Sequence, residues 1–273
     1  MSQEDVPSST GFFAPTNRCN VAVIENESQK LWWTPLTASH SIDEIMTGVH
    51  VGPEDEVERF AVRKNLAIRH SEFIKKALDP ASGWKEAKEN IVRFPEESPE
   101  AFQVFVTFLN TGVIHLNHFK NAKSNAVREE APDKDKEWNS IAQVWLLSDR
   151  IDSVAFKDAV VDKVVSLVRN NGKVPTSLYR PIFKGSVSKS GMRKLLTDIA
   201  VYGLFAPGIR ADQPGDPECV DYFRDVALEA MKRMARSRQG QVLSTAPYDR
   251  QHVGCYYHDH EAEGKPCYKT MFG

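Results

Sequence analysis

One segment constrains this chain more than any other. Between Ser98-Pro99 and Asn110-Thr111-Gly112, the polar residues Glu100, Gln103 and Thr107 fall at i, i+3 and i+7. On a 3.6-residue helix they make one narrow stripe. Ala101, Phe102, Val104, Phe105, Val106, Phe108 and Leu109 cover the rest of the girth. A helix so apolar is mostly buried, and Phe105 is expected to be fully so. Ser suits the N-cap, Pro the first turn, and Asn-Thr-Gly a stop.

The elements before it alternate between two periods. Ile45, Thr47, Val49 and Val51 alternate with Met46, Gly48 and His50, which predicts a strand. Gly52-Pro53-Glu54-Asp55 is turn chemistry, and Phe60-Ala61-Val62 is a second short strand, giving a hairpin. Ser71 caps a helix with apolar positions Phe73, Ile74, Ala77 and Leu78, ended by Asp79-Pro80. Ile91 to Phe94 reads as a third strand, and the three strands are expected in one sheet.

Beyond Gly112 the pattern loosens and then returns. Residues 117–137 hold five Lys/Arg and five Asp/Glu and read as a solvated charged insert. Ile141 to Leu147 is helical and is expected to pair with the Phe102–Leu109 helix. Val154 to Val168 follows, with Asp158, Asp162, Ser166 and Arg169 as its expected wet face. Asn170-Asn171-Gly172 marks a boundary. Met192, Leu195, Leu196, Ile199 and Tyr202 sit at helical spacing. Asp216-Pro217 opens a last helix whose apolar stripe is Val220, Phe223, Ala227, Met231 and Met234.

Composition excludes several classes. The chain has 273 residues, 41% hydrophobic and 26% charged, with a formal net charge of -2. That argues against a generally basic nucleic-acid binder. No uncharged apolar run approaches the ~20 residues that span a bilayer. The start, Met1 to Thr10, lacks the apolar core of a secretory signal. An intracellular protein, in cytoplasm or nucleus, is therefore expected. In that setting Cys19, Cys219, Cys255 and Cys267 read as reduced thiols or metal ligands before disulfides.

Four phrases, in order, carry a resemblance. They are Val49-His50-Val51-Gly52, then Phe60-Ala-Val-Arg-Lys-Asn-Leu-Ala-Ile-Arg-His-Ser-Glu-Phe73, then Ser98-Pro-Glu-Ala-Phe-Gln-Val-Phe-Val-Thr-Phe-Leu-Asn-Thr-Gly112, then Trp145-Leu-Leu-Ser-Asp-Arg-Ile-Asp152. This order resembles the BTB/POZ family. Gly191 to Tyr202 and the Cys255-Tyr-Tyr-His258-Asp-His260 tail resemble segments of fungal BTB-domain proteins. Three positions depart from the family pattern: Arg63 stands for a common His, Asn110 for a Tyr, and Gly48 for an acid entering the first strand.

The resemblance implies an α+β fold, a small sheet capped by helical hairpins, followed by a mostly helical C-terminal extension. It divides the chain into a partly disordered arm (1–40), a BTB/POZ domain (41–170), a helical extension (171–236) and a polar Cys/His tail (237–273). It also implies a protein–protein interaction module rather than an enzyme. Some relatives are adaptors for cullin-type ubiquitin ligases. A regulatory or chromatin-associated scaffold without ligase activity is the alternative, and an enzyme with an unrecognised site is a third. Relatives commonly dimerise through an N-terminal strand and first helices. The arm before Ser41 has no clear amphipathic helix, so a weak homodimer is expected.

No catalytic or cofactor-binding motif is present: no phosphate loop, G-x-S-x-G or H-E-x-x-H. His40, His50, His70, His115 and His118 are scattered. Lys232, Arg233, Arg236 and Arg238 sit where basic side chains complement a helix dipole. The tail alone suggests chemistry. Cys255-x2-His258-x-His260-x6-Cys267 supplies two thiols and two imidazoles, a donor set suited to one structural zinc ion. The bland reading is a polar tail with two buried thiols.

Overall fold

Thr47, Val49 and Val51 point into the protein and their neighbours do not, so β1 (Met46–Val51) has one buried face. It is the middle strand of a three-stranded sheet with the order β2-β1-β3. β2 (Glu58–Arg63) runs antiparallel to it, from Met46 opposite Arg63 to Val51 opposite Glu58. β3 (Ile91–Phe94) runs parallel, from Gly48 opposite Ile91 to Val51 opposite Phe94. The three predicted strands thus share one sheet. The computed structural model describes residues 45–116, 134–171, 174, 178–203, 220–239, 246–249 and 254–272. The N-terminal arm (1–40), with its Leu31-Trp32-Trp33 patch, and the predicted Asp216-Pro217 helix start lie outside the described residues.

A parallel neighbour requires a crossover. Here it consists of α1 (Lys64–His70), α2 (Glu72–Ala77), a short 3₁₀ turn at Pro80–Ser82 and α3 (Lys85–Glu89). Ser71 caps α2 as expected, its hydroxyl accepting from the Ile74 amide at 3.0 Å. The same hydroxyl donates to the Ile151 carbonyl at 2.6 Å. Periodicity does not predict α1 and α3, which make only one to two turns each.

α4 (Pro99–Thr111) is the buried helix anticipated above. Ser98 accepts from the Ala101 amide at 3.2 Å, and Gly112 ends the helix at φ 69°. Phe105 is fully buried. Its ring lies 5.7 Å from Phe102 and 5.1 Å from Phe156, in the tilted geometries that aromatic pairs prefer. Two positions that depart from the family pattern meet: the Arg63 guanidinium donates to the Asn110 side-chain oxygen. The third, Gly48, has the Ile91 side chain 3.2 Å from where a Cβ would sit.

α5 (Lys134–Arg150) packs on α4 and on α6 (Val154–Asn171). It starts inside the predicted charged insert, so the insert's last four residues are helical; residues 117–133 lie outside the described set. α7 (Tyr179–Gly185), α8 (Gly191–Tyr202) and α9 (Val220–Arg238) complete a mostly helical α+β architecture. One hydrophobic cluster runs from the sheet through α8 to Tyr257.

Two expected faces differ in part. Asp158 and Asp162 were expected in water, but the Asp158 side chain is 1% exposed and the Asp162 side chain 24%. Only Ser166 and Arg169 of that set are exposed. On α9 the stripe residues Val220, Ala227, Met231 and Met234 are exposed, Phe223 packs on the core, and Tyr222 is the buried residue. In both cases a neighbouring segment, not the helix's own pattern, decides which side is covered.

Candidate metal centre

The tail is built from two tight turns. Residues 254–257 form the first, opened by Gly254 at φ 58°, with the His258 amide donating to the Cys255 carbonyl at 2.9 Å. Gly264, at φ 64°, shapes the second, which the Lys265 amide closes onto the His260 carbonyl at 2.9 Å. A left-handed conformation comes at little steric cost only to glycine. The two turns fold Cys267 back over Cys255. Donor atoms of Cys255, His258, His260 and Cys267 all lie within 4.8 Å of one another, a group that could hold a metal ion. The two sulfurs are 3.8 Å apart. The four residues singled out in the sequence are therefore brought together.

Two helices hold this cluster. From α6, Asp158 accepts from the Asp259 amide at 2.7 Å through one oxygen and meets His260 Nδ1 at 2.8 Å through the other. That contact occupies Nδ1 and leaves Nε2 of His260 for a ligand. One turn later, Asp162 accepts from the Tyr268 hydroxyl at 2.6 Å and from Lys269 Nζ at 2.8 Å. From α8, the Gly191 amide donates to Asp259 at 2.7 Å, and Asp198 accepts from the Tyr257 hydroxyl at 2.8 Å. Lys194 donates to the Tyr256 carbonyl at 3.0 Å and sits over that residue's ring.

His258 is the most informative residue of the set. Its side chain is 1% exposed. Nδ1 and Nε2 lie 3.9 Å from Asp158 and 3.1 Å from Asp162, yet neither nitrogen has a hydrogen-bond partner. Buried polar atoms are rarely left this way, and an unfilled ligand position is one physical reason. Burial pushes the carboxyl of Asp158 above its ordinary range, against the pull of His258 and the Asp259 amide. Burial also opposes charge on Asp162, but His258 and Lys269 hold that carboxyl below its ordinary range. Burial raises the Cys267 thiol as well. A bound cation would reverse that last preference, since a coordinating thiol is deprotonated.

Asp158, Asp162, Asp198 and Gly191 are the site residues that sequence reasoning misses. The available signal was the i, i+4 pair of acids on α6, which puts both carboxylates on one face. Among the described residues, His70 and the Lys232, Arg233 and Arg236 cluster singled out in the sequence do not join the centre. His70 packs between the rings of Phe108 and Phe272. In the basic cluster, Arg233 donates to the Val201 carbonyl at 2.7 Å, and Lys232 and Arg236 both meet Glu229. No family model and no curated protein matches this chain. Among the described residues, no helix is long and apolar enough to cross a membrane.

Proposed function

We propose that the chain is a protein-interaction scaffold of the BTB/POZ type whose C-terminal tail is fastened by one structural zinc ion. The closed, buried set of two cysteine sulfurs and two imidazoles carries the zinc reading. Two thiolates and an imidazole pair suit Zn²⁺, and four protein donors leave no open coordination position for a substrate. Tetrahedral zinc with bonds of about 2.3 Å to sulfur holds its two sulfurs about 3.8 Å apart. The observed sulfur separation is 3.8 Å. Drawing the remaining donors from the 4.8 Å limit into the same shell takes shifts of about 1 Å. The Asp158–His260 contact is the carboxylate–histidine pairing that orients imidazole on zinc.

The interaction reading is supported by element order. A strand hairpin leads into the α1–α2 pair, a parallel strand returns to the sheet, and the buried α4 packs on α5. That is the order the resemblance implies for a BTB/POZ fold. Zinc would add folding energy to the two turns beside the core contacts of Tyr257 and Tyr268.

The experiment is metal analysis of the purified 273-residue chain beside a Cys255→Ser, Cys267→Ser variant. One zinc per chain in the native protein and none in the variant is expected. Equal zinc in both, or none in the native protein, overturns the zinc reading. Affinity purification of the native chain tests the scaffold separately. Stable protein partners are expected, and a co-purifying cullin would specify the adaptor role. Recovery of the chain without partners overturns the scaffold reading.

A further inference from the structure

Asp158 and Asp162 turn four carboxylate oxygens toward the tail, and three are taken. Asp158 Oδ1 accepts from the Asp259 amide at 2.7 Å, and Asp158 Oδ2 meets His260 Nδ1 at 2.8 Å. Asp162 Oδ2 accepts from the Tyr268 hydroxyl at 2.6 Å and from Lys269 Nζ at 2.8 Å. The fourth, Asp162 Oδ1, stands 3.1 Å from His258 Nε2, close enough for a hydrogen bond but not aligned as one.

His258 has one arrangement that satisfies both ring nitrogens. A neutral imidazole carries one N–H and one lone pair. A proton on Nδ1 would be a buried donor without an acceptor. Asp158 Oδ2, beside it, is 3.9 Å away and already serves His260. Such an unmet donor carries its full desolvation cost, and a doubly protonated ring would keep it unmet. A proton on Nε2 instead finds Asp162 Oδ1 after a small turn of the ring. The Nδ1 lone pair then faces no protein donor, which is the position a cation fills. In His260 the roles are exchanged, since Asp158 engages Nδ1 and Nε2 is left for the ligand. The acids lie one turn apart on α6 and the imidazoles two residues apart on the tail, so each carboxylate meets one ring.

We propose that Asp162 is the positioning residue of His258, holding its Nε2–H so that the two imidazoles meet the metal through opposite nitrogens, Nδ1 of His258 and Nε2 of His260. The inference rests on the zinc reading. It also ties the two ends of the cluster together, because the other oxygen of Asp162 holds Tyr268 and Lys269, the residues that follow the ligand Cys267.

The test is a long-range proton–nitrogen correlation spectrum of the isotope-labelled 273-residue chain loaded with zinc. For each ring it reports which nitrogen holds the proton and which the metal. The expected pattern is Nε2–H with metal on Nδ1 for His258, and the reverse for His260. In Asp162→Ala the His258 Nε2 proton should exchange rapidly with water, and zinc affinity should fall about 10–100-fold. Lys269→Ala removes a neighbour of the other oxygen only and should keep the His258 pattern. Metal on Nε2 of His258, an Asp162→Ala chain with unchanged proton signal and affinity, or an equal effect of Lys269→Ala would each overturn the proposal. Should Asp162→Ala fail to fold, the native spectrum decides alone. Metal on neither ring of the native chain would remove the zinc reading and this inference with it. Metal on both rings, but through Nε2 of His258, would remove this inference only.

Discussion

Asp158 does two things with one carboxylate, accepting the Asp259 amide and bonding His260. Asp158→Asn separates them. The amide oxygen can still accept from Asp259, but the –NH₂ group cannot accept a ring N–H from His260. We expect zinc affinity to fall by about 10–100-fold, the usual cost of losing an outer partner of a metal-bound imidazole. Competition against a chelating dye measures this; an unchanged affinity would mean that Asp158 does not orient His260. His70 yields a pH prediction away from the centre. Burial, and secondarily Arg69, push its pKa below the ordinary 6.5. The unfolded chain therefore takes up the proton first as pH falls. The stability His70 contributes as a neutral ring is present above about pH 6.5 and is lost progressively below it, down through the lowered folded value. Replacing it by Leu should remove that loss. Urea midpoints of the two proteins should converge or cross in the variant's favour between pH 7 and 5. A gap that stays constant over that range rejects the assignment.

Gly191 shows how elements fix one another. Isolated helix propensity favours Ala over Gly by about 0.8–1.0 kcal/mol. Here, however, a Cβ would collide with the Tyr257 carbonyl carbon and oxygen. Backbone cannot yield as a flexible side chain can, so sterics outweigh propensity. Gly191→Ala should lower the melting temperature and open residues 254–272 to limited proteolysis. A rise in melting temperature would mean that the tail does not dock on α8. The same contrast explains what was legible in the sequence. α4 and β1 carry their instructions locally: a capped, nearly all-apolar helix and a clean alternation. The four metal-type donors were legible because their chemistry narrows their uses. Sidedness was not legible on α6 and α9. Asp158 and Asp162 look like a solvated face until a tail about 100 residues away covers them. The α9 stripe looks like a core face, yet Tyr222 is the side chain that the α7 aromatics take in. Periodicity groups residues on a face; only the packed neighbour says whether that face is wet.

At the scale of the whole molecule the tail is a strap. Tyr257 reaches α8 through Asp198, Tyr268 reaches α6 through Asp162, and Phe272 stacks on His70 of α1 at 5.2 Å and meets Phe108 of α4 at 5.2 Å. Gly112 at the end of α4 leaves room for that last ring, which would collide with a Cβ. A metal bound by the turns from Cys255 to Cys267 would therefore stabilise elements on both sides of the core. The rings of Tyr257, Tyr268 and Phe272 belong to or pack on the same hydrophobic cluster as the sheet, so the strap and the core should unfold together. A ligand that binds only the folded state stabilises it by RT ln(1 + [L]/Kd), about 4 kcal/mol at a thousandfold excess over Kd. Calorimetry of the full chain should thus show a single transition that moves upward with buffered free zinc. In the Cys255→Ser, Cys267→Ser variant the transition should start lower and ignore zinc. If zinc shifted only a separate, minor tail transition and left the main one in place, the tail would be an appended domain and not a strap. The Phe272→Ala variant locates the coupling. It keeps all four ligands but loses the ring contacts to His70 and Phe108, so its tail should still bind zinc while passing less of that stabilisation to α1 and α4, read as faster amide exchange in those two helices at saturating zinc.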